Sequence, residues 1–417
     1  MSKEKLKKAR EFEQEQLKRI SPEERPCYHV TGGSGWINDP NGFSFYKDEY
    51  HLFYQYHPYS NEWGPMHWGH VTSKDLITWE RLPLAMAPEE SYDNFGCFSG
   101  SGIELPDGRH LLMYTGVGYV SDIPMANGEL PTHQTQCLAV GDGTDYEKYE
   151  KNPVITGEDV PAGGSKVDFR DPKIWKDEDG FYYAVVANMT EDGNSRILLF
   201  KSADAFQWQY VCVLDHSDEK LGKMWECPDF FCLDEEYILI TSPQDLCATE
   251  EFHNGNNSVY YMGKYDKKQH VFHYESVYSL DDGFDFYAPQ TMLAPDGRRI
   301  MIGWMQSWDS NIRPADQKWS CMMTVPRELY IEQGRILQNP VREMENYHRN
   351  AVCYQNKEIS GNCQMEDIHG RVLDMTVEIV RGDFHQFTIS FAQNERYHTD
   401  FTIQKDSKMI EMNRTYS

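Results

Sequence analysis

The chain has 417 residues, 66 acidic against 40 basic, for a formal net charge of −26. That balance argues against nucleic acid and anionic membranes as partners, because both require a basic face. Hydrophobic residues at 40% and charged residues at 25% describe an ordinary globular protein large enough for two domains. The aromatic share of 13%, with 26 Tyr and 10 Trp, favours strands and supplies flat amphipathic platforms of the kind that bind sugars.

In chain order, Met1 to Ile20 places Leu6, Ala9, Phe12, Leu17 and Ile20 on a helical period. It contains no apolar h-region, and its acidic residues do not suit a transit peptide. Ten cysteines without any C-x-x-C spacing read as reduced thiols, several of them packed as small hydrophobes. Together these features predict a cytoplasmic protein. No apolar run approaches the roughly 20 residues that span a bilayer.

Beyond residue 26 a weak repeat sets in. Aromatic or β-branched strands begin at His51, His110, Phe181, Tyr237 and Arg299. After four of them a second apolar run, a polar turn and an aromatic follow, at Trp79, Tyr149, Trp208 and Phe272. Five antiparallel units predict an all-β fold, a five-bladed β-propeller over 27–332. Residues 1–26 form a helical segment before it, and 333–417 a linker and partial C-terminal β-sandwich. Strand candidates there begin at Arg371, Phe384, Tyr397 and Met409, and the pattern reads as a sandwich whose remainder lies beyond residue 417.

Three segments place a carboxylate beside a proline: Asn38-Asp39-Pro40-Asn41-Gly42, Phe169-Arg170-Asp171-Pro172 and Trp225-Glu226-Cys227-Pro228-Asp229. Asp-Pro and Asn-Gly are turn dipeptides, and the first segment alone reads as a turn. Glu226, between Trp and Cys in an apolar run, reads as buried, which a charge tolerates only when paired or protonated. Retaining glycoside hydrolysis needs one carboxylate as nucleophile and a second as acid and then base. Asp39, among amide donors, suits the ionised partner, and Glu226, in an aromatic setting, suits the protonated one.

Those segments, with FYQYHP at 53–58, HWGH at 67–70, FSGS at 98–101, YTG at 114–116, FYAPQ at 286–290 and GRRIMIGWM at 297–305, closely resemble the family 32 glycoside hydrolases. That family comprises invertases, sucrose-6-phosphate hydrolases and fructan hydrolases. The resemblance implies a β-fructofuranosidase with Asp39 as nucleophile, Glu226 as acid/base and Asp171 holding the fructosyl hydroxyls. It places Asn38, Pro40, Asn41, Gln55, Trp63, Phe98, Ser99, Arg170 and Trp304 around the sugar, with Tyr287 near the acid/base. Ile37 stands where Leu or Met is more usual, a mild departure.

The expected partner is a small sugar: sucrose, sucrose 6-phosphate or a short fructo-oligosaccharide. A fructosyltransferase, a short-chain fructan hydrolase and a catalytically inactive carbohydrate-binding propeller are the alternatives. No cofactor or metal is expected, since His67 and His70 have no carboxylate partner nearby in sequence. Cys227 lacks a basic activator and reads as packing. A substrate phosphate would call for Lys or Arg at the rim, from among Lys166, Lys173, Lys223, Arg313 and Lys318. The sequence leaves the oligomeric state open.

Overall fold

In a computed structural model of the chain, residues 3–217, 221–310 and 316–417 are described. They divide into two compact units, Met1–Met344 and Glu345–Ser417. Most of the first unit is five antiparallel sheets met in sequence order. Blade 1 holds Gly35–Tyr46, Glu49–His57, His67–Ser73 and Glu80–Met86, and blade 2 holds Gly96–Glu104, His110–Tyr119, Thr132–Gly141 and Tyr146–Lys148. Blade 3 runs Gly164–Lys176, Tyr182–Thr190, Ser195–Ser202 and Gln209–His216. Blade 4 runs Trp225–Leu233, Glu236–Pro243, Val259–Asp266 and Val271–Ser279. Blade 5 is Tyr287–Leu293, Arg299–Trp304, Arg327–Glu332 and Arg335–Pro340.

The first strand of each blade touches the first strand of the next, and the fifth touches the first. This closed ring is the five-bladed propeller expected from the repeat. Closure is reinforced where Trp319–Ser320 returns to pair in parallel with Gly35 and Trp36. The strands that carry the sequence repeat lie second in each blade, one step out from the axis. They are nearly all buried on both faces, which explains their run of apolar residues rather than a clean alternation. A second repeat appears at the outer turns. Ser73, Asp75 and Trp79 form the same hydrogen-bonded turn as Ser202, Asp204 and Trp208, with each indole N–H donating to a carbonyl three residues back.

All five innermost strands are bulged at the same level. The register slips between Ile37 and Pro40, Phe98 and Gly100, Arg170 and Lys173, Glu226 and Asp229, and Tyr287 and Gln290. Four of these bulges hold a proline (Pro40, Pro172, Pro228, Pro289), which has no N–H to give a ladder and so belongs at a bulge. Asp171, Cys227 and Ala288 take φ of 64°, 49° and 50° there. The segment Asn38–Gly42, which its dipeptides mark as a turn, is thus the middle of a 12-residue strand. A bulge uses the same unpaired, locally twisted backbone as a turn, and it re-aims the side chains beside it.

The amino-terminal helix spans Glu4–Leu17 and buries Leu6, Ala9 and Glu13. Glu13 reaches within 3.8 Å of Arg81, which offsets the cost of burying its carboxylate. Residues 333–344, expected in the linker, include the last strand of blade 5, and the chain divides after Met344 instead. The second unit carries one three-stranded antiparallel sheet, Gln386–Phe391, Thr399–Gln404 and Met409–Asn413. Residues 371–380, expected as a strand, are exposed and have no ladder partner among the described residues. Period-2 alternation makes a strand only where a neighbour supplies the hydrogen bonds. Among the described residues, no helix is long and apolar enough to cross a membrane.

Candidate active site

The bulges turn Asp39, Ser99, Asp171 and Glu226 into one cleft of about 560 Å³ at the end of the propeller axis. Asp39 is held from three blades. Its Oδ1 accepts from Asn38 Nδ2 at 3.0 Å, and its Oδ2 accepts from Ser99 Oγ at 2.6 Å and from the Cys227 thiol at 3.5 Å. Asn38 is itself fixed by the Trp36 indole N–H at 2.9 Å. Asp171 Oδ2 accepts the backbone N–H of Cys227 at 3.0 Å, while its own N–H donates to Thr115 Oγ1 at 2.9 Å. Cys227 therefore touches both aspartates, and its thiol also lies 3.6 Å from Asp171 Oδ2. Burial and the surrounding carboxylates push that thiol up, so packing and positioning, not nucleophilicity, fit its chemistry.

Glu226 sits opposite. Arg170 donates from Nε at 3.1 Å and Nη2 at 3.0 Å to its Oε1. The Tyr287 hydroxyl lies 2.7 Å from its Oε2 and 3.0 Å from the Ser242 carbonyl. Burial, then the negative charge of Glu226, push Asp39 up from the usual aspartate value. The same two causes push Asp171 to about 7, against the pull of Arg170. The amide and hydroxyl donors around Asp39 thus do not outweigh its burial, contrary to the sequence expectation. Asp39 and Asp171, desolvated in one cleft, cannot both ionise at low cost.

Of the residues singled out in the sequence, Asn38, Asp39, Gln55, Trp63, Phe98, Ser99, Arg170, Asp171 and Glu226 line the cleft. Pro40, Asn41, Tyr287 and Trp304 do not. Asn41 is buried and accepts the Gly100 N–H at 3.2 Å, keeping the blade 2 bulge in place. Trp304 is buried beneath the wall, edge-on to Trp36 at 5.7 Å and to Trp308 at 5.0 Å. The cleft also takes in Gln134, Asp168, Gln244, Asp245, Asn256 and Trp308, which no short motif marked. Trp308 stacks on Trp36 with 16° between the rings, and its place four residues past Trp304 in an aromatic wall was the one available signal.

His67 and His70 point elsewhere. His67 Nδ1 lies 2.9 Å from the Pro65 carbonyl, and His70 Nε2 is 3.0 Å from His51 Nδ1. No cluster of three or more candidate metal ligands occurs among the described residues. The rim cations named for a phosphate are engaged: Lys166 with Glu158 at 2.9 Å, Lys173 with Asp229 at 3.1 Å, and Lys223 with Asp245 at 2.9 Å. Lys318 donates to the Arg19 carbonyl at 2.8 Å, and Arg313 falls outside the described residues.

A five-bladed propeller with three carboxylates converging at the mouth of its axis is an architecture of glycoside-cleaving enzymes. Residues 29–340 match the Glycosyl hydrolases family 32 N-terminal domain, and the chain belongs to that family. It is 38% identical over 345 residues to a sucrose-6-phosphate hydrolase of Escherichia coli, covering 82% of this chain and 70% of that protein. A sucrose-6-phosphate hydrolase of Zymomonas mobilis is 40% identical over 82% of this chain and 66% of its own length. Among solved structures, a family 32 β-fructofuranosidase of Bombyx mori superposes with a TM-score of 0.77 at 37% identity, covering 85% of this chain and 73% of that one. A sucrose-6-phosphate hydrolase from Lactobacillus gasseri reaches a TM-score of 0.81 at 26% identity, covering 98% and 81%.

Proposed function

We propose that the chain is a retaining β-fructofuranosidase that cleaves sucrose or its 6-phosphate. The observation that carries this reading is the convergence of Asp39, Asp171 and Glu226, from blades 1, 3 and 4, in one cleft with an aromatic wall. Relatives named as sucrose-6-phosphate hydrolases, and the Bombyx mori enzyme solved with sucrose at 37% identity, support the substrate class.

In the first step Asp39 attacks the anomeric carbon of the fructosyl unit. The bond to the glycosidic oxygen breaks, and Glu226 gives that oxygen its proton as the glucosyl unit leaves. In the second step the Glu226 carboxylate takes a proton from water, whose oxygen attacks the same carbon and releases Asp39. Two displacements restore the configuration. Ser99 and Asn38 orient Asp39 through the bonds given above, and Asp171 accepts hydrogen bonds from sugar hydroxyls as positive charge develops on the ring. Tyr287 and Arg170 position Glu226 from either side. The ten cysteines form no disulfide, which supports a reducing, cytoplasmic location that cell fractionation would test.

Asp39→Ala and Glu226→Gln should each lower kcat for sucrose by at least about 10³-fold while leaving the circular dichroism spectrum unchanged. Wild-type turnover in either variant refutes the assignment. Proton NMR just after mixing should find β-fructofuranose first, and the inverted anomer would exclude the covalent intermediate.

A further inference from the structure

The aglycone side of the cleft decides which leaving sugar is accepted, a point that rests on the fructosidase reading above. Glu226, the acid for the leaving oxygen on that reading, stands on the inner strand of blade 4, beside the lining that blades 3 and 4 supply. Those blades and their loops contribute Asp168, Gln244, Asp245 and Asn256 to the lining. Asp309 stands directly behind, accepting both the backbone N–H and the side-chain amide of Asn256 at 2.6 and 2.9 Å. Among the described residues, the cations at this side are already engaged. Arg170 bonds Glu226 and lies 3.7 Å from Asp168, and Lys223 pairs with Asp245 at 2.9 Å.

We propose that this rim selects an uncharged leaving sugar, sucrose over sucrose 6-phosphate, with Asp245 and Asp168 as the specificity-determining carboxylates. Amides and carboxylates suit glucosyl hydroxyls, which donate and accept hydrogen bonds. A phosphate dianion must instead compete with Asp245 and Asp168 for Lys223 and Arg170, and the repulsion from those carboxylates is strongest at low ionic strength, where the Debye length is long. The overall charge of −26 acts in the same direction on an approaching anion.

The test measures kcat/KM for both sugars, on the wild type and on Asp245→Asn, across ionic strength. Asp245 has a φ of 53°, a conformation that asparagine also tolerates, so the substitution changes charge and little else. Sucrose should be preferred by about ten-fold at low salt, and the gap should narrow as salt rises while sucrose cleavage stays flat. In Asp245→Asn, where Lys223 loses its partner, the ratio of phosphorylated to plain substrate should rise about three-fold or more. A wild type that prefers the phosphate, or whose phosphate activity falls with added salt, overturns the proposal, because a cation would then be receiving that group. An unchanged ratio in the variant overturns the role of Asp245. If neither sugar is cleaved, the fructosidase reading itself fails.

Discussion

Asp171→Asn should stabilise the protein, and by an amount that grows with pH. Asp171 is buried, 6% exposed, in the cleft beside Glu226 and Asp39, and its folded pKa of about 7 stands well above the reference of 3.8. Below pH 3.8 the folded and unfolded states are both protonated, so no ionisation penalty exists. Between the two values the folded state retains a proton that the unfolded chain has lost. Wild-type stability therefore falls across that window and levels off above it. That elevation is shared with the carboxylates beside it, and at about 1.36 kcal/mol per pKa unit it sets an upper bound of about 4 kcal/mol. Asparagine keeps the acceptor for the Cys227 N–H and never ionises. For a 344-residue unit, with an unfolding entropy near 2.1 cal/mol/K per residue, that corresponds to about 6 °C in Tm at most. Differential scanning calorimetry of both proteins from pH 4 to pH 8 should find the Tm gap opening between pH 4 and 7 and constant above. A gap independent of pH would refute the argument, since it would mean Asp171 ionises as readily in the fold as in water.

Lys173→Met should destabilise by about 3 kcal/mol in urea unfolding, because it strips the ion-pair partner from Asp229, which is 1% exposed. Gly100→Ala should fail to fold or lose about 3 kcal/mol, since a Cβ there would lie 2.0 Å from the Met113 carbonyl oxygen in the neighbouring strand. Trp308→Ala removes the outer platform of the aromatic wall and should raise KM for sucrose about ten-fold, a loss of about 1.4 kcal/mol, with a smaller change in kcat. An unchanged KM would place the sugar away from blade 5.

Much of the site was legible before any coordinates. The segments holding Asp39-Pro40, Asp171-Pro172 and Glu226 stood out in the sequence, the first of them as a turn, and the fold makes each a bulge of an inner strand. Pro289 lies in a fourth. The second strands declared the five-fold repeat because burial on both faces forces them to be apolar. What escaped was everything set by loops. Gln244, Asp245 and Asn256 lie in a connection with no periodicity, and the pairing of Glu226 with Ser242 inside blade 4 brings that connection to the cleft. The strand expected at 371–380 failed for a related reason, because alternation records which face is apolar and not whether a partner strand is present.

By itself the sequence determined the number of blades and, through motifs that resemble a family, the three carboxylates, since strand burial and short motifs act on neighbouring residues and leave local patterns. Tertiary structure alone decided how those groups meet: Cys227 bridging two aspartates and Arg170 holding Glu226. Those contacts join residues 56 to 188 positions apart. Their energies depend on the dielectric and distance that ring closure creates, and no local pattern carries either quantity.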